Sequence, residues 1–98
     1  MDENNIIKGK TKSFAIRIIN LYKYLTINAP QKEYVLSKQV LRSGTSIGAN
    51  VKEASETEYW LELLEETDYI SKESFDSIIS DNLEIIKILT TIVKNSQD

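Results

Sequence analysis

The chain contains no cysteine and no histidine. Those two absences together remove thiol nucleophiles, disulfides, imidazole acid–base chemistry and the ordinary zinc sites. A chain without disulfides suits a reducing compartment, so a cytoplasmic location is the expectation. Glycine and proline are also scarce, with three and one in 98 residues, while apolar residues return at intervals of three and four. Few breaks and that period specify an all-α chain. No uncharged apolar run is long enough to span a bilayer, and the opening MDENNIIKGKTKSF has no apolar signal core, so neither a membrane partner nor processing is expected.

A chain of this size makes one small domain that buries a modest fraction of its surface, and association with copies of itself would add to it. The net charge of −3 hides a division. Residues 1–52 carry nine bases and three acids, whereas residues 53–98 carry three bases and twelve acids. Opposite halves then attract, within or between subunits. The competing reading is that the first half offers a basic face to RNA or DNA through Lys8, Lys10, Lys12, Arg17, Lys23, Lys38 and Arg42, with Tyr22, Tyr24 and Tyr34 among them.

Residues 1–9 have no usable pattern and read as a flexible arm. Residues 10–95 read as a single helical domain, and 96–98 as a frayed tail. From about Thr11, Phe14, Ile18, Leu21, Tyr22 and Leu25 form the buried stripe of a first helix that ends at Asn28-Ala29-Pro30. A second helix starts near Gln31 to Glu33 and buries Leu36, Val40, Ile47 and Val51. The S-x-x-E form of Ser55 to Glu58 is that of a capping box. Yet no glycine, proline or asparagine follows Asn50 before it, and the reading favours one helix from about Gln31 to Ile70, roughly 60 Å long at 1.5 Å per residue. Trp60, Leu61, Leu64 and Thr67 continue its apolar face. Ser71 caps a last helix whose core stripe is Phe75, Ile78, Ile79, Leu83, Ile86, Leu89 and Val93.

The most distinctive stretch is Val40 to Ala54, VLRSGTSIGANVKEA. Ser43, Gly44, Thr45, Ser46, Gly48 and Ala49 make a run of small side chains, and each helical glycine costs about 1 kcal/mol against alanine. Close approach of a neighbouring helix is the natural offset. Gly44 to Gly48 lacks the G-K-[ST] ending and the preceding strand of a phosphate-binding loop. A Ser–Lys pair from Lys38 with Ser43 or Ser46 has no oxyanion donor or third orienting group in the sequence. The carboxylates Glu53, Glu58, Glu62, Glu65 and Glu66 lack the histidines with which di-iron bundles pair theirs, so no metal, cofactor or catalytic residue is expected.

With SFAIRIINLYKYL before it and ETEYWLELLEETDYI after it, the RSGTSIGANVKEA segment resembles the four-helix-bundle family first met as reading frames in intervening sequences of bacterial 23S ribosomal RNA. That family includes the accessory protein of diversity-generating retroelements. Arg42, Ser43, Ser46, Ile47, Ala49, Asn50, Val51 and Glu53 match its pattern R-S-x-x-S-I-x-A-N-[IV]-x-E, and flanking matches extend over about 8–94. The resemblance implies an antiparallel up-and-down four-helix bundle, a homo-oligomer that is a ring of five in relatives, and no catalytic residues. In the retroelement branch it implies contact with nucleic acid and a reverse transcriptase. Arg42, Ser43, Ser46, Asn50 and Glu53 are then the polar contacts of the family motif. Against the family pattern about twenty residues are missing after Glu53, which would fuse helices two and three and leave the bundle to be completed by oligomerisation, as in a domain swap. The expected function is a non-enzymatic, self-associating helical module; the alternative is a nucleic-acid-binding accessory protein using helices one and two.

Overall fold

The computed structural model describes residues 3–48 and 50–96; Met1, Asp2, Ala49, Gln97 and Asp98 lie outside the described residues. The described chain is all-α, in four helices: α1 (Glu3–Lys23), α2 (Leu36–Thr45), α3 (Val51–Glu66) and α4 (Lys72–Ser96). A π-helical turn, Tyr24–Asn28, extends α1. Ala29 then turns to extended backbone, as the residue before a proline must.

α1 begins well before Thr11 and absorbs most of the expected arm. Ile7 is the reason, because it is 9% exposed and packs into the core of its own chain. Gly9 sits within the helix at its modest propensity cost. At the other end α4 runs to Ser96, the first residue of the expected frayed tail; Gln97 and Asp98 lie outside the described residues.

The expected 31–70 helix is absent, and two features replace it. α2 starts only at Leu36 because Glu33, ahead of it, turns its carboxylate onto the helix end. Oε1 accepts from Val35 N at 3.0 Å and Leu36 N at 2.9 Å, and Oε2 accepts from Ser37 N at 2.6 Å. An anion on three free N–H groups fills the N-terminal vacancy that a proline would otherwise have marked. The second feature is a break at 46–50. Asn50, in extended backbone, accepts from Glu53 N at 3.0 Å and starts α3 as its N-cap. The reversal therefore precedes Ser55, and the fusion of helices two and three is corrected to two short helices joined by a turn.

Closure within one chain follows. α1 packs on α2 and α4, and α3 packs on the same two helices, so α1 and α3 stand across the bundle from one another. Residue pairings give the directions. Lys10 pairs with Glu84 and Arg17 with Asp81, while a Cβ on Gly44 would meet Ile18 and one on Gly48 would meet Thr11. The body measures 49 × 21 × 20 Å, too short for the fused helix, and completion of the core by a sister chain is not required.

Phe14, Ile18, Leu25, Val40, Ile47, Ala54, Leu61, Leu64, Ile78, Ile85 and Leu89 form the core. In α4 the buried line is Ile78, Asn82, Ile85 and Leu89, and the expected core residues Leu83 and Val93 are about half exposed. α4 is apolar on several sides, so its periodicity left the phase open. Asn82 sits in that buried line, fully enclosed, with Nδ2 donating to Ala54 O at 3.0 Å. α3 ends with Asp68 at φ 68°, a left-handed position that aspartate tolerates. Ser71 then caps α4 as expected, its Oγ accepting from Ser74 N at 3.0 Å.

Candidate functional site

The motif residues gather at the reversal between α2 and α3. Gly44 is buried, and a Cβ there would lie 2.8 Å from Ile18 Cγ1, closer than carbon atoms approach. The small-residue stretch thus serves close helix packing, with α1 as the neighbour. On the α3 side Ser43 and Thr57 are fully enclosed. Thr57 Oγ1 donates across the seam to Ser43 Oγ at 3.0 Å, with Glu53 O of its own helix, 2.8 Å away, as the alternative acceptor, and Ser43 Oγ passes its own proton to Gln39 O at 3.0 Å. Hydroxyls hidden from water need such partners, and here two helices supply them to each other.

Arg42 spans the mouth of the turn. Its Nη2 donates to Glu56 Oε2 at 2.8 Å, and its Nη1 lies 3.5 Å from Glu53 Oε2. The guanidinium is held above its ordinary pKa, first by the hydrogen bond to Glu56, against an opposing effect of burial, and then by the charges of Glu56 and Glu53. Glu53 Oε2 has no hydrogen-bond partner among the described residues and is shut from solvent, so the Arg42 charge is what answers it. Ser46 enters through its backbone, whose N–H donates to Ser43 O at 3.2 Å. Ala49 lies outside the described residues. Arg42, Ser43, Asn50 and Glu53 therefore meet in space as braces of a turn, joined by Glu56 and Thr57, which the sequence reading had not singled out.

The seven candidate bases do not meet. Lys10 is paired with Glu84 across the α1–α4 seam, Arg17 reaches Asp81 Oδ2 at 2.8 Å and Ser77 Oγ at 2.7 Å, and Arg42 is committed at the turn. Lys8, Lys12, Lys23 and Lys38 are exposed and belong to no ion pair among the described residues. Apart from the local Lys72–Asp76 pair, each of these ion pairs joins a base of the first half to an acid of the second. The divided charge is a pairing code between helices.

No three carboxylates among the described residues are placed to hold a metal ion. No described helix is long and apolar enough to cross a membrane. Neither a family model nor a curated protein matches the chain. A solved structure does: a protein of unknown function from the S23 ribosomal protein family of Bacteroides thetaiotaomicron VPI-5482, 48% identical, with a TM-score of 0.89 over 95% of this chain and 99% of that one. Two chains that cover each other almost end to end are of nearly one length, so this neighbour gives no support for the expected loss of about twenty residues after Glu53. At that identity and coverage, the chain belongs to the S23 ribosomal protein family.

Proposed function

We propose that the protein is a non-enzymatic, self-associating module of the intervening-sequence type, an up-and-down four-helix bundle whose task is to hold partners. What carries this reading is the position of its motif: Arg42, Ser43, Asn50 and Glu53 brace a turn, and Ser46 borders only an open hollow shared with Thr11, Lys12 and Gly48. Such a motif maintains a shape. Large apolar side chains left in water, among them Ile16 at 52%, Ile27 at 63% and Tyr59 at 54% exposed, supply the surface for association.

The nucleic-acid reading rests on Lys8, Lys12, Lys23 and Lys38, since Lys10, Arg17 and Arg42 face carboxylates of their own chain. Four lysines on two helices, with the exposed rings of Tyr24 and Tyr34 lying between them in sequence, make a small footprint. Light scattering tests the leading reading. A mass that is a multiple of 11.2 kDa at micromolar concentration supports it, and a monomer under those conditions overturns it.

A further inference from the structure

Laid out at about 100° per residue, the apolar side chains of α4 run from Ile88 through Ile85, Leu89, Phe75 and Ile79 to Leu83, an arc of roughly 220°. A stripe of about half that width is enough for a helix that faces a core. Turned a little one way, α4 would bring the half-buried Ile79 and Ile86 inward in place of Ile78 and Ile85; turned the other way, it would bring in Ile88 and Ile92. Either exchange keeps large apolar side chains inside, so apolar burial alone sets the rotation of α4 loosely.

Asn82 lies near the middle of that arc and is fully buried. Its Nδ2 donates to Ala54 O at 3.0 Å across the α3–α4 seam. Ala54 is the smallest side chain in a buried line otherwise made by Thr57, Leu61 and Leu64, which lets the amide reach the backbone there. Asn82 Oδ1 is shut from solvent and has no hydrogen-bond partner among the described residues. An enclosed amide met on one side only costs stability against an apolar group of similar shape, so stability does not explain the asparagine. What it adds is direction, because a hydrogen bond holds one geometry where apolar contact allows many. Either turn of α4 takes the amide away from Ala54 O, and the turn toward Ile79 keeps it enclosed, where an amide without a partner is costly. We propose that Asn82 is the rotational lock of α4: its bond to Ala54 selects one setting of a helix whose apolar arc would accept several. The setting decides what α4 shows outside, with Leu83 about half exposed and Asp81 and Glu84 turned to Arg17 and Lys10. Those two ion pairs sit in water at the rim and hold the rotation only weakly. The lock acts within one chain and does not depend on the self-association proposed above.

Nuclear magnetic resonance of the full chain tests the lock in two ways. In the unaltered protein the side-chain amide hydrogens of Asn82 are expected to exchange with solvent about a hundredfold more slowly than those of the exposed Asn20. Exchange as fast as at Asn20 overturns the proposal. The second measurement compares Asn82→Leu with Ile78→Leu, which alters the same buried line one turn earlier and leaves the lock in place. In N82L the backbone amide signals of α4 are expected to double or broaden as the helix takes several settings, while I78L keeps one sharp signal per residue. Should N82L not fold, N82A is read in the same way. One sharp set of α4 signals in the Asn82 variant overturns the proposal. So does an I78L whose signals multiply equally, since any change in the core would then loosen α4.

Discussion

The α2–α3 seam and the α1–α4 seam solve the same packing problem with different materials. α2 has ten residues, and where it meets α3 the buried groups include Ser43 and Thr57. Among the buried residues of α2 only Val40 carries a large apolar side chain, and each hydroxyl taken from water must find a partner or cost about 1 kcal/mol or more. The α1–α4 seam has helices of 21 and 25 residues, with Phe14, Ile18, Ile78 and Ile85 inside and its ion pairs left in water at the rim. Where the buried side chains are large and apolar, polar groups sit at the rim; where they are small and hydroxylated, polar groups must be placed well inside the seam.

That contrast can be broken by substitution, read as equilibrium unfolding at one fixed protein concentration. The largest effect belongs to Glu33→Ala. Three N–H groups lose a charged acceptor at the start of α2, and a loss of about 2–3 kcal/mol is expected. A change below 0.5 kcal/mol would show that α2 does not depend on its cap.

Gly44→Ala comes next and has an internal control. The added methyl group meets Ile18, whose buried side chain has little room to give, so a loss of about 1–3 kcal/mol is expected. Gly9→Ala meets nothing within 4 Å and should stabilise α1 by about 0.5–1 kcal/mol. The opposite signs are the prediction; two gains would mean that α1 and α2 pack less closely than described. Asn50→Ala removes the α3 cap and should cost about 1 kcal/mol, with Asn50→Asp close to neutral. The smallest effect is at the rim: Arg17→Ala or Asp81→Ala should cost less than about 1 kcal/mol and lose even that in molar salt. A larger, salt-resistant loss would place that pair inside the seam.

Much of this was legible from the residues. Phe14, Ile18 and Leu25 declared the buried face of α1 by their spacing, Ser71 announced the α4 cap, and the unequal halves foretold that bases would meet acids across helices. The turn at 46–50 was not read, although its signal was present. Asn50-Val51-Lys52-Glu53 is itself a capping sequence, but it lies inside an unbroken period of seven from Val40 through Ile47 and Ala54 to Leu61, all buried. A period tells which side chains face the core, and a chain that reverses between Ile47 and Ala54 can keep it. The α4 phase was lost for a related reason: with apolar residues on several sides, burial of Asn82 and exposure of Leu83 are decided by the neighbouring helix and not by α4 itself. The motif at Arg42 and Glu53 could be recognised as a set, but that Glu56 shares Arg42 depends on the reversal, so its role waited for the fold.

The reversal itself is measured most directly by a distance along the chain. The protein has no cysteine, so cysteines introduced at the exposed Lys38 and Glu62 accept spin labels at those two sites alone. Labelled chains diluted in excess unlabelled protein report the intramolecular separation by pulsed electron resonance. A turn at 46–50 returns α3 alongside α2 and predicts a distribution below about 20 Å, one helix spacing plus the reach of the labels. A distribution near 36 Å, roughly 24 residues at 1.5 Å each, would mean a continuous helix and would contradict the self-closed bundle.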